Sequence, residues 1–315
     1  MSAYTDAASR AGKKIAGSDD RELFARNFSD DVLEAWEQTY DFEGMVTVRN
    51  IASGKSDVFP IIGRKRDAQD HNPGELILGG TVEHNEIEIT LDKMTVDSVF
   101  IPEIDELMAH YELSAPYSRQ LGESLAGVSN ARIGQMMVLA SRETNAPYVG
   151  GPLPSYYYDA AIANNAAKLE EAAYKAVEWI RTYDIGGGKP KYWLRHPQHL
   201  LLVRYTGIDA EVTTGSGNRA NATVGPVAGM SVEGTNSVPT TNVTTGPTKY
   251  QGDFSTTYGM IANPMAVGKL QRRAKKVVIK EQDDRLGTII IASQLEGYGK
   301  LRPECAFEVR SDVRP

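Results

Sequence analysis

The sequence holds one cysteine, Cys305, no long apolar run and no excess of positive charge. Each absence excludes something. A single thiol cannot close an intrachain disulfide, so the chain is not a disulfide-stapled secreted module and fits a reducing compartment, with Cys305 read as a buried core residue. The longest apolar stretches, such as Met136 to Ala140 and Ile289 to Ala292, fall far short of the roughly 20 residues that a membrane-spanning helix needs. Met1 to Asp19 mixes small, polar and charged residues without the apolar core of a secretory signal, so synthesis in a cytoplasm is expected. At a net charge of −7 the chain lacks the basic surplus that binding to phosphate backbones requires. An acidic chain repels DNA weakly, a property that many unrelated acidic proteins share.

What is present is an ordinary globular composition. With 315 residues, 41% hydrophobic and 24% charged, the chain can bury a core in one large or two smaller domains. Phe24, Phe28, Val32, Leu33 and Trp36 have helical spacing, with Ser29, Asp30 and Asp31 as capping candidates, and predict an extended arm with short helices. From Met45 the period changes to two. Val46 and Val48, then Val58, Phe59, Ile61 and Ile62, lead into a charged tip over Gly63 to Asp70, and Ile87, Ile89 and Leu91 alternate with polar residues on the way back. Such a two-stranded excursion is marginal in water unless something covers it, and a partner subunit is the expected cover.

Pro102 opens a long helical pattern through Ile104, Leu107, Met108 and Tyr111. Pro116 is expected to interrupt it before Leu121, Leu125, Val128, Met136 and Met137 carry it to about Ser141, giving a kinked or two-part helix. A second helix is predicted over about Ala160 to Tyr183, ended by Gly186 to Gly188. Tyr192 to Leu194 reads as a short buried strand, and His199 to Tyr205 as helix or strand. Gly207 to Asp253, crowded with Thr, Gly, Asn, Ser and Pro, reads as long loops and short strands. Lys276 to Lys280, Thr288 to Ala292 and Ala306 to Val309 close the chain as β-prone runs.

Catalytic chemistry is hard to find. Gly54, Lys55 and Ser56 resemble the end of a phosphate-binding loop, but Arg49 stands where its first glycine belongs and a strand pattern follows. Gly188 and Lys189 fail likewise, with Tyr183 and Pro190 at the required positions. His196 and His199 have a spacing that on a helix turns two rings toward one metal ion, yet Pro197 lies between them and no carboxylate or cysteine cluster is near. Surface or structural histidines are the expectation, and neither a metal nor a cofactor is expected. Pairs such as Glu103 and Asp105, or Glu170 and Glu171, read as solvated helix faces. Arg272, Arg273, Lys275, Lys276 and Lys280 form the densest basic run, open to a reading as DNA contact, contact to a neighbour's carboxylates, or solvated edge. Sequons at Asn221 and Asn242 carry no meaning without secretion.

Three segments in order carry a resemblance. Ser53 to Arg64, SGKSDVFPIIGR, followed by Pro73, Gly74 and Glu75, resembles the hairpin start of major capsid proteins from T seven-like short-tailed bacteriophages (podoviruses) with double-stranded DNA. Ile104 to Ala126 resembles that family's next helix, and Leu301, Arg302, Pro303 and Glu304 its carboxy-terminal LRPE. The likeness is continuous over about 44 to 145, with an echo in the last thirty or so residues. It implies an α+β chain with the Hong Kong 97-type capsid fold: an arm over 1–44, an extended-loop hairpin over 45–98, a peripheral domain with a spine helix over 99–188, an axial domain over 189–284, and strands returning to the peripheral domain over 285–315.

The implied role is that of a major capsid protein, not an enzyme, which self-assembles into hexamers and pentamers of an icosahedral head. Its implied partners are copies of itself, a scaffolding protein during assembly, a portal protein at one vertex, and the enclosed double-stranded DNA without sequence-specific contact. Localisation in the virion after assembly in the host cytoplasm follows. Across the interface between subunits, Phe59, Ile61 and Ile62 are the expected buried part, and Arg64, Arg66 and Glu75 the polar part. The alternatives are another self-assembling phage or surface-layer protein and, further off, a metal-dependent enzyme using His196 and His199.

Overall fold

A computed structural model of the chain describes residues 31–37, 39–42, 44–64, 68, 70–74, 76–77, 79–102, 114–205, 224–282 and 285–313. After a helical stretch over 31–37 come β1 (Thr47–Asn50), β2 (Ser56–Ile62), β3 (His84–Thr90), β4 (Thr95–Pro102), α1 (Ser114–Ser141), β5 (Ser155–Tyr158) and α2 (Ala166–Thr182). Then follow β6 (Lys191–Leu194), α3 (His196–Val203), β7 (Ser231–Gly234), β8 (Asn242–Val243), β9 (Gly252–Asp253), β10 (Thr257–Ala262), β11 (Val267–Gln282), β12 (Gly287–Lys300) and β13 (Ala306–Arg310). The chain divides into two compact units, one of residues 1–40, 94–127 and 273–294, the other of 41–93, 128–272 and 295–315.

In the first unit β4 pairs antiparallel with the start of β12, from Gly287 opposite Pro102 to Gln294 opposite Thr95. Ile290 and Ala292 of that strand share a core with Val32 and Trp36 of the helical stretch and with Leu121, Leu125 and Ala126 of α1. Gly122 permits this packing, because a Cβ there would lie 2.5 Å from the Val32 carbonyl oxygen. Among the described residues α1 runs from Ser114 to Ser141 with Pro116 near the start of that stretch, and the segment before it, where the expected kink or break would lie, falls outside the described residues. The expected helical run from Pro102 to Tyr111 lies almost wholly outside the described residues, as do the proposed caps Ser29 and Asp30.

The second unit is built on a five-stranded sheet of order β5-β13-β10-β6-β7. β10 is antiparallel to both neighbours, while β5 and β7 run parallel to theirs. Leu169, Ala172, Ala173 and Ala176 of α2 pack with Tyr192, Leu194, Ile261, Phe307 and Val309 of the sheet. Alanines along that face bring the helix backbone close to the strands. The helix starts six residues later than the sequence pattern puts it, because Asn165 caps it: its Oδ1 accepts the Ala167 N–H at 3.0 Å. The ambiguous segment around His199 is helical, with Pro197 in the first turn of α3. In this unit β1 also pairs in parallel with the first residues of β11, Thr47 opposite Gly268 through Asn50 opposite Gln271. β2 and β3 form the expected antiparallel hairpin, from Ser56 opposite Thr90 to Ile62 opposite His84.

Candidate assembly interface

The hairpin sits on its own subunit through alternate side chains. Residues two apart on a strand share a face, so Phe59 and Ile61 turn inward, 5% and 3% exposed, and Ile62 turns outward, 57% exposed. Phe59 and Ile89 share a buried cluster with Leu270 of β11 and with Leu301. The floor under Ile89 is glycine. A Cβ at Gly268 would come within 2.7 Å of Ile89 Cδ1, and one at Gly299 within 2.8 Å of Ile89 Cγ1. At Gly297 a Cβ would stand 2.3 Å from the Thr90 carbonyl oxygen. Bare backbone at these three positions lets β3 settle onto β11 and β12 at a distance that any side chain would forbid.

Charged groups fix the root of the hairpin. The Lys249 ammonium lies 2.5 Å from Asp92 Oδ1 and donates to the carbonyls of Thr90 and Tyr298 at 3.2 and 3.1 Å. Arg132 of α1 reaches the other Asp92 oxygen at 3.6 Å, and the Tyr250 hydroxyl donates to that same oxygen. Burial, and then the Asp92 charge, push the Tyr250 phenol far above its ordinary pKa. Next to this hub, Lys269 and Glu296 form a buried ion pair at 2.7 Å. The Tyr298 hydroxyl donates to Glu296 at 2.6 Å, and the Asp92 N–H donates to the Glu296 carbonyl at 3.1 Å. With every donor of Lys249 directed to an oxygen, the root is pinned in one geometry.

The far end of β2 is held by the LRPE segment. Leu301 belongs to the buried cluster under Phe59, and Arg302 donates to the Ile62 carbonyl at 3.0 Å. Gly63 donates its N–H to the Glu83 carbonyl at 2.7 Å. Arg64 donates to the Asp184 carbonyl at 2.6 Å and lies 3.6 Å from the Asp184 carboxylate. Arg66 and Glu75 lie outside the described residues. Of the six residues expected at an interface, then, Phe59 and Ile61 pack within their own chain, Arg64 is engaged with Asp184, and Ile62 is open. Sequence reasoning passed over Leu76 and Ile77, 85% and 77% exposed. The signal was an apolar run bracketed by Pro73–Gly74 and Gly79–Gly80, too short and unalternating to be a strand.

The other candidate sites resolve simply. His196 and His199 both lie against Gly234, where burial, and then the neighbouring His196, hold the His199 pKa below its ordinary value. Among the described residues no group of three or more His, Cys, Asp or Glu is placed to hold a metal ion. Gly54 and Lys55 lie in the approach to β2 and not before a helix. In the basic run, Arg272 donates to the Gly54 carbonyl at 3.0 Å and Lys275 lies over the Trp36 ring, so these two serve the fold. No helix among the described residues is long and apolar enough to cross a membrane.

Comparison with known proteins agrees with this architecture. The chain is 36% identical over 121 residues to the major capsid protein of Escherichia phage T7, and 36% identical over 124 residues to that of Enterobacteria phage T3. These stretches cover 38% and 39% of this chain and span about a third of each relative, 35% in both cases. Among solved structures, the capsid of Cyanophage P-SCSP1u superimposes with a TM-score of 0.74 at 29% identity, over 87% of this chain and 89% of that one. The mature capsid of bacteriophage PhiM1 matches in fold with a TM-score of 0.71 at 17% identity, over 88% of each chain. The sequence model of the Gp10A-like family, described as major capsid protein, matches residues 58–310, from within β2 to the last residue of β13. The chain therefore belongs to the Gp10A-like major capsid protein family, and its α+β architecture is the Hong Kong 97-type capsid fold.

Proposed function

We propose that the chain is the shell subunit of a short-tailed phage head, assembling with copies of itself into hexamers and pentamers that enclose double-stranded DNA. The observation that carries the reading is the hairpin, pinned to its own subunit at both ends yet presenting Ile62, Leu76 and Ile77 to the outside. Exposed apolar residues on a hairpin whose strands are fixed to their own chain are a surface built to be covered, and head-to-tail contact between unlike patches closes into rings. Ile62 is the apolar contact we assign from the hairpin strands, with Arg64, Arg66 and Glu75 at its rim. Phe59 and Ile61 support that contact from beneath.

In this reading residues 1–44 are the arm, 45–98 the extended loop, 99–188 the peripheral domain, 189–284 the axial domain and 285–315 the returning strands. A scaffolding protein during assembly, a portal protein at one vertex and DNA held without base-specific contact are the partners. The shell is assembled in the host cytoplasm and ends in the virion. The net charge of −7 suits a wall along which DNA must slide.

Negative-stain microscopy of the chain co-expressed with its scaffolding protein tests this. The unchanged chain should give closed shells of uniform size. Ile62→Asp should abolish them while leaving the melting temperature within a few degrees, since a change at an exposed position away from special features alters stability by roughly 0.5 kcal/mol or less. Soluble monomers from the unchanged chain under every assembly condition would overturn the proposal.

A further inference from the structure

The LRPE segment has a part that holding the hairpin does not use. Glu304 is 3% exposed, and among the described residues its Oε2 has no hydrogen-bond partner. Its Oε1 lies 3.8 Å from the guanidinium of Arg302, the same side chain that donates to the Ile62 carbonyl. Glu304 lines a cavity of about 290 Å³ with Ile62, Gly63 and Arg64 from the hairpin end and Asp184 opposite. A carboxyl group, one arginine and the end of the hairpin thus stand in series.

We propose that Glu304 is a proton-operated release on the clamp that holds the end of β2. With Glu304 protonated, Arg302 is free to hold the Ile62 carbonyl. With Glu304 ionised and short of donors, its carboxylate draws Arg302 Nη1 across the 3.8 Å gap, since a charged acceptor forms a stronger bond than a neutral carbonyl, and this turns Nη2 of the same planar group away from the Ile62 carbonyl it holds. The Ile62 carbonyl is then released. The inference concerns the subunit alone and stands whether or not the chain forms shells.

The charged and titratable groups around the carboxyl permit this. Arg64 faces the cavity but is engaged with Asp184, so the two largely cancel. Tyr148 and Tyr183 complete the wall, and the adjoining Cys305 thiol is kept protonated by burial. Burial pushes the Glu304 carboxyl up to about 7, against the lowering pull of its own backbone N–H and of Arg302. The sign follows. A carboxyl whose folded pKa exceeds its unfolded value stabilises the folded arrangement at low pH, and that contribution is lost as pH rises from about 4.5 through about 7. The clamp is tight on the acid side and loose on the alkaline side.

Hydrogen exchange of the full-length unassembled subunit reads this directly at the Gly63 amide, which donates to the Glu83 carbonyl. Between about pH 6 and about pH 8, after correction for the intrinsic exchange rate, the ionised fraction of a group with this pKa rises from about a tenth to about nine tenths. Protection at Ile62 and Gly63 should fall several-fold with a midpoint near 7. Glu304→Gln, which keeps the shape and removes the titration, should hold the acid level throughout. Arg302→Ala should show the lowered, alkaline-side protection at both pH values, an arm that does not depend on the glutamine variant folding well. A flat profile in the unchanged chain, the same midpoint in Glu304→Gln, or full protection in Arg302→Ala would each overturn the assignment.

Discussion

Replacing Gly299 with alanine sets a methyl group 2.8 Å from Ile89 Cγ1 and 3.0 Å from its Cδ1, against a relaxed carbon separation of about 3.5–4.0 Å. Either Ile89 leaves its rotamer or β3 lifts from its seat, and overpacking of this kind costs about 1–3 kcal/mol. Ile89→Ala alone empties a buried site in the cluster of Phe59, Leu270 and Leu301 and costs about 2–5 kcal/mol. Combined, the two changes should compensate, because the methyl added at 299 enters the space that Ile89 vacates. The double variant should be more stable than the sum of the singles by about 1–2 kcal/mol. The lower unfolded-state entropy of alanine, about 0.4–1 kcal/mol, is common to both backgrounds and cancels in the cycle.

Gly297 supplies the control. Its added methyl would meet backbone, the Thr90 carbonyl oxygen at 2.3 Å and Leu91 Cα at 2.8 Å, which Ile89→Ala does not remove. Gly297→Ala should therefore destabilise equally in either background. Urea unfolding followed by tryptophan fluorescence, with hydrogen exchange over 84–90 to localise the loss, measures both cycles. Additivity at Gly299, or rescue at Gly297, would refute the glycine seat.

Two further outcomes follow from buried groups elsewhere in the second unit. Arg142 meets the fully buried Glu308 with two nitrogens at 3.0 and 2.6 Å and donates to the Asp253 carbonyl at 2.6 Å. Arg142→Ala removes both of these charge-assisted bonds from a buried carboxylate, so it should lower stability by about 3–5 kcal/mol in a denaturant titration. Adding Glu308→Gln should recover part of the loss, and no recovery would sink the account. Burial, and then the adjacent Glu304, push the Cys305 thiol up to about 12. A thiol reagent at about pH 8 should label it only after unfolding, whereas rapid labelling of the native protein would show that the site opens.

The parts of this fold legible in the sequence are those with a short period. Ile87, Ile89 and Leu91 announced β3 because every second residue of a strand shares a face, and the same rule bears on the interface residues. Ile61 and Ile62 are neighbours on one strand, so period two allows only one of them inward, and the structure places Ile61 there. Pro116 shows the limit of a local signal, since a proline one turn inside a helix and a proline at its middle look alike until the start of the helix is known. The root was not legible at all. Asp92 and Tyr250 stand 158 positions apart, and no local pattern marks a carboxylate that will gather Arg132, Lys249 and Tyr250 from two distant segments.

That illegible part bears most directly on what the hairpin can do. Apolar burial of Phe59 and Ile89 attaches the hairpin to its subunit, but apolar contact is non-directional and leaves the tilt of a two-stranded ribbon loosely set. Buried charges are poor sources of net stability, since desolvation offsets most of their attraction. Their geometric effect is different. Lys249 has three donors and three oxygens to meet, and Asp92 offers two oxygens to three donors, so a small rotation of the hairpin leaves at least one buried polar group without a partner. Each such loss costs about 1–3 kcal/mol, more for a charged group. The seat of glycine and isoleucine thus sets how close the hairpin lies, and the charged root sets the direction in which it points.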